Sequence, residues 1–242
     1  MTSGGVVPGR VVVVTGSAGG IGREIVARFE RDGDVVVGLD VVDGFDVSDP
    51  AACDAAAQRV LAEHGRIDVL CNNAGIAAVG DVVVATPEEW ERVFAVNVFG
   101  AAYLSRAVLP AMRAAGRGAI VNTCSVAAVV GLVERAVYSA SKGALLALTR
   151  AMAADEVATG VRINCVCPGT VDGPWIRRVA SARPDPAAAI AALESRQPLG
   201  RLVAAHEVAD AIAYLASDTC YTTGAELLLD GGITGVRIVP GA

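Results

Sequence analysis

What this sequence is short of narrows its chemistry before any motif is read. Twenty of its 242 residues are Lys or Arg, yet a single one of them is lysine, Lys142. Histidine is as scarce, with His64 and His206 alone. The six cysteines (Cys53, Cys71, Cys124, Cys165, Cys167 and Cys220) include no Cys-x-x-Cys pair and no Cys/His cluster. A zinc site is therefore not expected, and no metal ligands are assigned. Several of the cysteines fall in apolar runs that read as buried strands, which suits reduced thiols and a cytoplasmic setting. No apolar run approaches the roughly 18 residues of a membrane span, and the N-terminus lacks a charged-then-apolar signal pattern. The basic residues are scattered, and the formal net charge is −6. Neither nucleic acid nor an anionic membrane is an expected partner.

Apolar residues make up 53% of the chain and charged ones 19%, enough to build a large core in one domain. Residues 1–9 read as a short flexible lead and 10–242 as the domain. Strand-like runs cover Val11–Thr15, Val35–Asp40, Gly44–Val47, Ile67–Asn72, Ala119–Cys124, Arg162–Cys167 and Glu226–Asp230. Between them lie helical patterns at Ile21–Arg31, Pro50–Ala62, Pro87–Ala115, Val137–Ala158 and His206–Ala216. The third opens on Thr86 as N-cap, Pro87 in the first turn and Glu89 completing a capping box. Val-rich runs alternating with amphipathic stretches predict an α/β fold, a doubly wound parallel sheet covered on both faces. Pro168–Ala204 reads as one long irregular stretch, as expected of a lid over a binding site.

Two segments carry most of the chemistry. Thr15-Gly16-Ser17-Ala18-Gly19-Gly20-Ile21-Gly22 follows the first strand and opens a helix, the setting in which glycines and a helix N-terminus hold a pyrophosphate. Asp40 ends the second strand. A carboxylate there accepts hydrogen bonds from ribose hydroxyls and repels a 2′-phosphate, and no basic residue stands at Ala18, Gly19 or Val41 to welcome one. NAD is therefore expected over NADP. The second segment is Tyr138-Ser139-Ala140-Ser141-Lys142. Four residues apart on a helix share a face, and an ammonium beside a phenol favours the phenolate, a proton-transfer device. Chance would bring the one lysine to that position about one time in twenty if Arg and Lys were equivalent at ordinary surface sites.

Thr15–Gly22, Asn72-Asn73-Ala74-Gly75, Asn97, Ser125, Tyr138 with Lys142, Pro168-Gly169 and Asp230-Gly231-Gly232 stand in the order and spacing of the short-chain dehydrogenase/reductase family, which the chain resembles from about residue 10 to 235. The resemblance implies a single-domain Rossmann fold of about seven parallel strands, a dimer or tetramer, and a nicotinamide cofactor. It implies that Tyr138 is the acid/base, that Lys142 supports it and holds the nicotinamide ribose, and that Ser125 orients the reacting oxygen. Asn97 would hold a water that links Lys142 to solvent. Gly16, Ala18, Gly19, Gly20, Ile21, Gly22 and Asp40 would bind the cofactor, with Asp46 and Val47 near the adenine. Asn73, Ala74 and Gly75 would lie beneath the adenosine, with Asn73 either contacting the cofactor or stabilising the sheet, and Pro168, Gly169 and Val171 near the nicotinamide.

Two departures stand out. Asp40–Asp46 is too short for the helix that usually joins strands two and three, and Gly173 replaces the usual threonine. Within the family, Pro168–Asp172, Arg196–Arg201 and Tyr221–Gly224 look most like dehydrogenases of sugar acids and small hydroxy acids. A 3-oxoacyl-carrier-protein reductase-like enzyme and a non-catalytic NAD-sensing regulator are the alternatives. Arg135, three residues before Tyr138, and Arg177, Arg178 and Arg196 in the lid segment are candidates to bind a substrate carboxylate.

Overall fold

The computed structural model describes residues 9–237, so the expected flexible lead lies outside the described residues apart from Gly9. Strand β1 (Val11–Thr15) is buried along its whole length. Successive side chains leave a strand on opposite faces, so an unbroken valine run feeds two cores. Val11 and Val13 join Cys53, Leu104, Val108 and Met112 on one face. Val12 and Val14 join Ile25, Phe29, Val208 and Ile212 on the other. Helices α1 (Gly20–Arg31) and α8 (Ala205–Ala216) cover this second face, while α2 (Pro50–His64), α4 (Gly100–Ala115) and α5 (Ala136–Glu156) cover the first.

The main sheet has six parallel strands in the order β2-β1-β3-β4-β5-β8, with β2 at Val35–Leu39, β3 at Val69–Asn72, β4 at Gly118–Thr123, β5 at Val161–Pro168 and β8 at Glu226–Leu229. The chain winds outward from β1 to β2, then returns to the opposite side of β1 to place β3. That reversal opens a crevice at the carboxyl ends of β1 and β3, where sheets of this kind bind ligands.

Six strands replace the seven expected, because Gly44–Val47 forms none. One 3₁₀ turn, Val41–Asp43, leads instead into Gly44 at φ 82°. Phe45 N donates to Asp40 O at 3.0 Å, and Asp46 Oδ1 accepts from Ser48 N and Ser48 Oγ. Local turns thus use the polar groups a ladder would need. Val47 is buried as a single core residue against Gly100.

Pro168–Ala204 also needs correcting, since it is mostly regular. Short strands β6 (Val171–Asp172) and β7 (Val203–Ala204) pair in parallel, and α6 (Pro174–Ser181) and α7 (Pro186–Glu194) lie between them. Pro174 and Pro186 stand in the first turns of these helices, and Asp185 Oδ1 caps α7 by accepting from Ala188 N at 3.0 Å. Pro87–Ala115 is one continuous helical run made of α3 (Pro87–Phe94), a π turn at Ala95–Phe99 and α4. Contrary to the expectation from the sequence, it contains an 18-residue window long and apolar enough to cross a membrane, because scattered polar residues within it leave its mean hydropathy high. Half of that window is buried in the fold, as in a core helix.

Candidate active site

The glycine-rich turn closes because Gly16 adopts φ 65°, a conformation that side chains with a Cβ disfavour. Gly22 is required for a different reason: a Cβ there would sit 1.9 Å from Gly16 O. Helix α1 then starts at Gly20 with Gly19 as an extended N-cap, no side-chain cap and no acidic residue in its first turn. Its leading N–H groups are free of side-chain acceptors and carry the positive end of the helix dipole. Asp40 closes one flank of this turn. It is buried, Oδ2 accepts from Ala18 N at 2.9 Å and Oδ1 from Val42 N at 3.1 Å. Glycine-sized space, open N–H groups and a carboxylate at the end of the second strand fit a dinucleotide. Gly16, Ala18, Gly19, Gly20, Ile21, Gly22 and Asp40 are the residues that would hold it.

The opposite wall comes from β3. Asn73 Nδ2 donates to Thr15 O (3.1 Å) and Gly16 O (3.3 Å), and Asn73 N and Ala74 N each donate to Thr15 Oγ1 at 3.0 Å. Asn73 is thus committed to shaping the turn. Two residues on, a Cβ on Gly75 would lie 3.3 Å from both Asn97 Oδ1 and Lys142 Nζ. The same short turn therefore connects the glycine loop to Asn97 and Lys142.

Lys142 is 4% exposed and donates to Thr123 O at 2.8 Å. Its Nζ lies 5.8 Å from the centre of the Tyr138 ring, on the same face of α5. Ser125, directly after β4 and Thr123-Cys124, caps a 3₁₀ turn by accepting from Ala127 N at 3.1 Å, which leaves its hydroxyl proton available to donate. Asn97 sits in the π turn, a rare element that recurs at functional sites. Its amide is fully engaged: Oδ1 accepts from Ile76 N (2.8 Å), and Nδ2 donates to Ile76 O (2.9 Å) and Ser141 Oγ (3.0 Å). The side chain clamps the β3–α3 turn to α5.

A family profile described as Enoyl-(Acyl carrier protein) reductase matches residues 16–234. The chain belongs to the short-chain dehydrogenase/reductase family. It is an oxidoreductase acting on CH–OH groups. Dehydrogenase/reductase SDR family member 6 of Xenopus laevis is 39% identical over 93% of this chain and 97% of its own. Cis-4-hydroxycyclohexanecarboxylate dehydrogenase of Sinomonas cyclohexanicum is 38% identical over 94% and 97%. The ligand-free structure of Thermoplasma acidophilum aldohexose dehydrogenase superposes with a TM-score of 0.90 at 34% identity, covering 96% of both chains.

The other expected positions have the following settings in the fold. Gly169 N donates to Leu229 O at 2.9 Å, anchoring Pro168-Gly169 to the sheet edge, and Val171 pairs with Val203. Gly173 is the extended N-cap of α6; a Cβ on Gly20 would lie 3.0 Å from Pro174 Cδ, so α6 begins against the glycine loop. Asp46 is exposed, and its carboxyl is held below the usual range by the Ser48 hydroxyl and then the Ser48 backbone N–H. Val47 points into the core, which leaves its backbone alone to face a ligand. Arg177 is paired with Asp172 at 2.6 Å. Among the described residues Arg135, Arg178 and Arg196 have no acidic partner.

Sequence reading missed Thr15, Ser141 and Gln197. Gln197 is buried, and its Nε2 donates to Arg201 O at 2.6 Å, holding the segment behind Gly169. Ser141 Oγ donates to Tyr138 O at 2.8 Å while accepting from Asn97. Both lie within sequence segments that drew notice for other residues. Asn97→Ala should strip partners from the Ile76 backbone, lowering unfolding free energy by about 1–3 kcal/mol as well as activity. Urea denaturation beside a turnover assay checks this, and unchanged stability would contradict the clamp.

Proposed function

We propose that the protein is an NAD-dependent dehydrogenase that interconverts a secondary alcohol and a ketone on a small hydroxy acid, with Tyr138 as acid/base. The observation that carries this reading is the buried ammonium of Lys142 beside the Tyr138 ring, at the end of a turn that begins at the glycine loop. When bound, the nicotinamide cofactor supplies or accepts the hydride. Tyr138 Oη exchanges the proton with the substrate oxygen, and Lys142 stabilises negative charge developing on that phenol. The Ser125 hydroxyl, capping its own turn with a lone pair, points its proton to the substrate oxygen. Asn97 supports the relay through its backbone carbonyl, since its amide is spent on Ile76 and Ser141. A 3-oxoacyl-carrier-protein reductase-like role is disfavoured by the acidic Asp40, and a cofactor sensor has no need of the Tyr138–Lys142 pair.

For the substrate, Arg135 stands at the N-cap of α5 without a carboxylate partner. An isolated bridge joins its backbone to Gly80, bringing the segment carrying exposed Val79, Val82, Val83 and Val84 beside exposed Leu132 and Val133. Basic and apolar groups together at the approach to Tyr138 suit a carboxylate on an apolar carbon frame more than a neutral polyol. The six free, buried cysteines suit a reducing cytoplasm, and α4 and α5 are the surfaces proposed to pair in a dimer or tetramer, with exposed Phe99 at their edge. The β6–α7 segment is proposed as the lid.

Tyr138→Phe should keep cofactor binding while turnover falls by about three orders of magnitude or more. Lys142→Arg should also be damaging, because a guanidinium is larger and planar. Titrating NAD by fluorescence beside turnover separates binding from chemistry, and a near-normal rate for Lys142→Arg would contradict the proton-transfer assignment.

NAD should be preferred over NADP in the native enzyme. Asp40→Ala with Val41→Arg should reverse that order, as read from kcat/KM for both cofactors. Equal native use of the two would remove Asp40 from the cofactor assignment.

Arg135→Met should raise KM for a hydroxy-acid substrate by about 10-fold or more and leave a neutral cyclic alcohol nearly unchanged. A parallel loss on both would argue against carboxylate binding at Arg135.

A further inference from the structure

Beneath the reaction centre lies a group of side chains that alcohol oxidation does not need. Cys165 and Cys167 alternate on β5 and so leave it on one face, and Cys124 joins them from the neighbouring strand end, where its N–H donates to Val166 O at 2.8 Å. The three sulfurs lie within 4.8 Å of one another, and all three residues are buried among Ala101, Leu145 and Leu146. They are free thiols. Among the described residues no fourth Cys, His, Asp or Glu completes the group.

We propose that Cys124, Cys165 and Cys167 form a three-sulfur binding site for a soft d¹⁰ cation, monovalent copper above all, and that filling it arrests the neighbouring reaction centre. Three features lead there. Soft thiolates select soft metals, whereas structural zinc takes four ligands and no fourth Cys, His, Asp or Glu stands here among the described residues. Cys165 and Cys167 on one face of β5 and Cys124 at the adjoining strand end bring the three sulfurs close enough for one ion to touch all of them. Binding is an exchange without redox change: each metal–sulfur bond takes the place of an S–H bond, the protons leave to solvent, and the metal keeps its oxidation state.

Arrest follows from adjacency. Cys124 immediately precedes Ser125, Cys167 immediately precedes Pro168, and Lys142 Nζ donates to the carbonyl of Thr123, the residue before Cys124. Three thiolates around a monovalent ion carry net negative charge, so Lys142 is drawn toward the metal and away from its place beside Tyr138. Because the sulfurs are closed to solvent, loading waits on local opening of the fold, and inhibition develops with time instead of on mixing.

The test uses the whole protein, without oxygen, with monovalent copper held by a competing chelator. The expected result is one ion per chain, a near-ultraviolet thiolate-to-copper band, and X-ray absorption showing three sulfur neighbours at about 2.3 Å, the usual metal–thiolate distance. Cys165→Ala or Cys167→Ala should weaken binding by about 100-fold or more, since even the loss of a group that only orients a ligand costs 10–100-fold. Cys53→Ala, in the separate cluster between α2 and α4, should not weaken it. Zinc should bind much more weakly than copper. Dehydrogenase activity should fall in step with the band and return when the chelator removes the metal. Sub-stoichiometric binding, fewer than three sulfur neighbours, or a band surviving in folded Cys165→Ala and Cys167→Ala would overturn the site. Full loading with undiminished turnover would overturn the arrest. The absorption and stoichiometry require no turnover, so failure of the proposed dehydrogenase activity would be seen separately.

Discussion

The hydrogen bonds that tie Thr15 to Asn73 hold the site together. At a doubly wound sheet's reversal point, nothing in the backbone ladder beyond the strand ends keeps two diverging loops at a set distance. Here the Thr15 hydroxyl receives two backbone N–H groups from Asn73 and Ala74, and the Asn73 amide returns two bonds to the backbone of Thr15 and Gly16. Each is worth about 1 kcal/mol net, but the larger effect is geometric, because an unpaired buried group would cost more than the bond contributes. The crevice keeps its width, and Gly75 is carried to the amine of Lys142.

A second polar chain fixes the helix that carries Tyr138 and Lys142. Asn72 Nδ2 donates to Asn122 Oδ1, Asn122 Nδ2 donates to Thr149 Oγ1, and Thr149 Oγ1 donates to Leu145 O, all inside the fold. Thr149 lies two turns beyond Lys142 on α5, so its link to the sheet sets the helix's axial position. Asn97 and Ser141 set it again near the site. Apolar packing alone tolerates small slides; a chain of paired amides does not. The positions of Tyr138 and Lys142 thus depend on polar contacts made well away from them.

Much of the architecture was legible because the signals were local and repeated. Valine runs declared a sheet buried on both faces, and the Thr86 cap marked the start of α3. Gly16, Gly22, Asp40, Tyr138 and Lys142 stood out by residue type and spacing. The errors were equally local. A short apolar run at Gly44–Val47 resembles a strand until Asp40 and Asp46 take up nearby backbone N–H groups. Pro174 and Pro186 look like interruptions because proline gives the same sequence signal at a helix start and in a loop.

What the sequence determined by itself was the periodicity of burial, the glycines demanded by the turn, and the spacing that puts Tyr138 and Lys142 on one face of a helix. Only the tertiary structure decided the partners of Asn73 and Asn97, the ion pair that occupies Arg177, and the meeting of Cys124 with Cys165 and Cys167. Those outcomes rest on contacts between residues 20 to 60 positions apart or on competition among nearby acceptors. Spacing along a chain specifies which side chains share a face. Which polar group on another element reaches them first depends on how the elements pack.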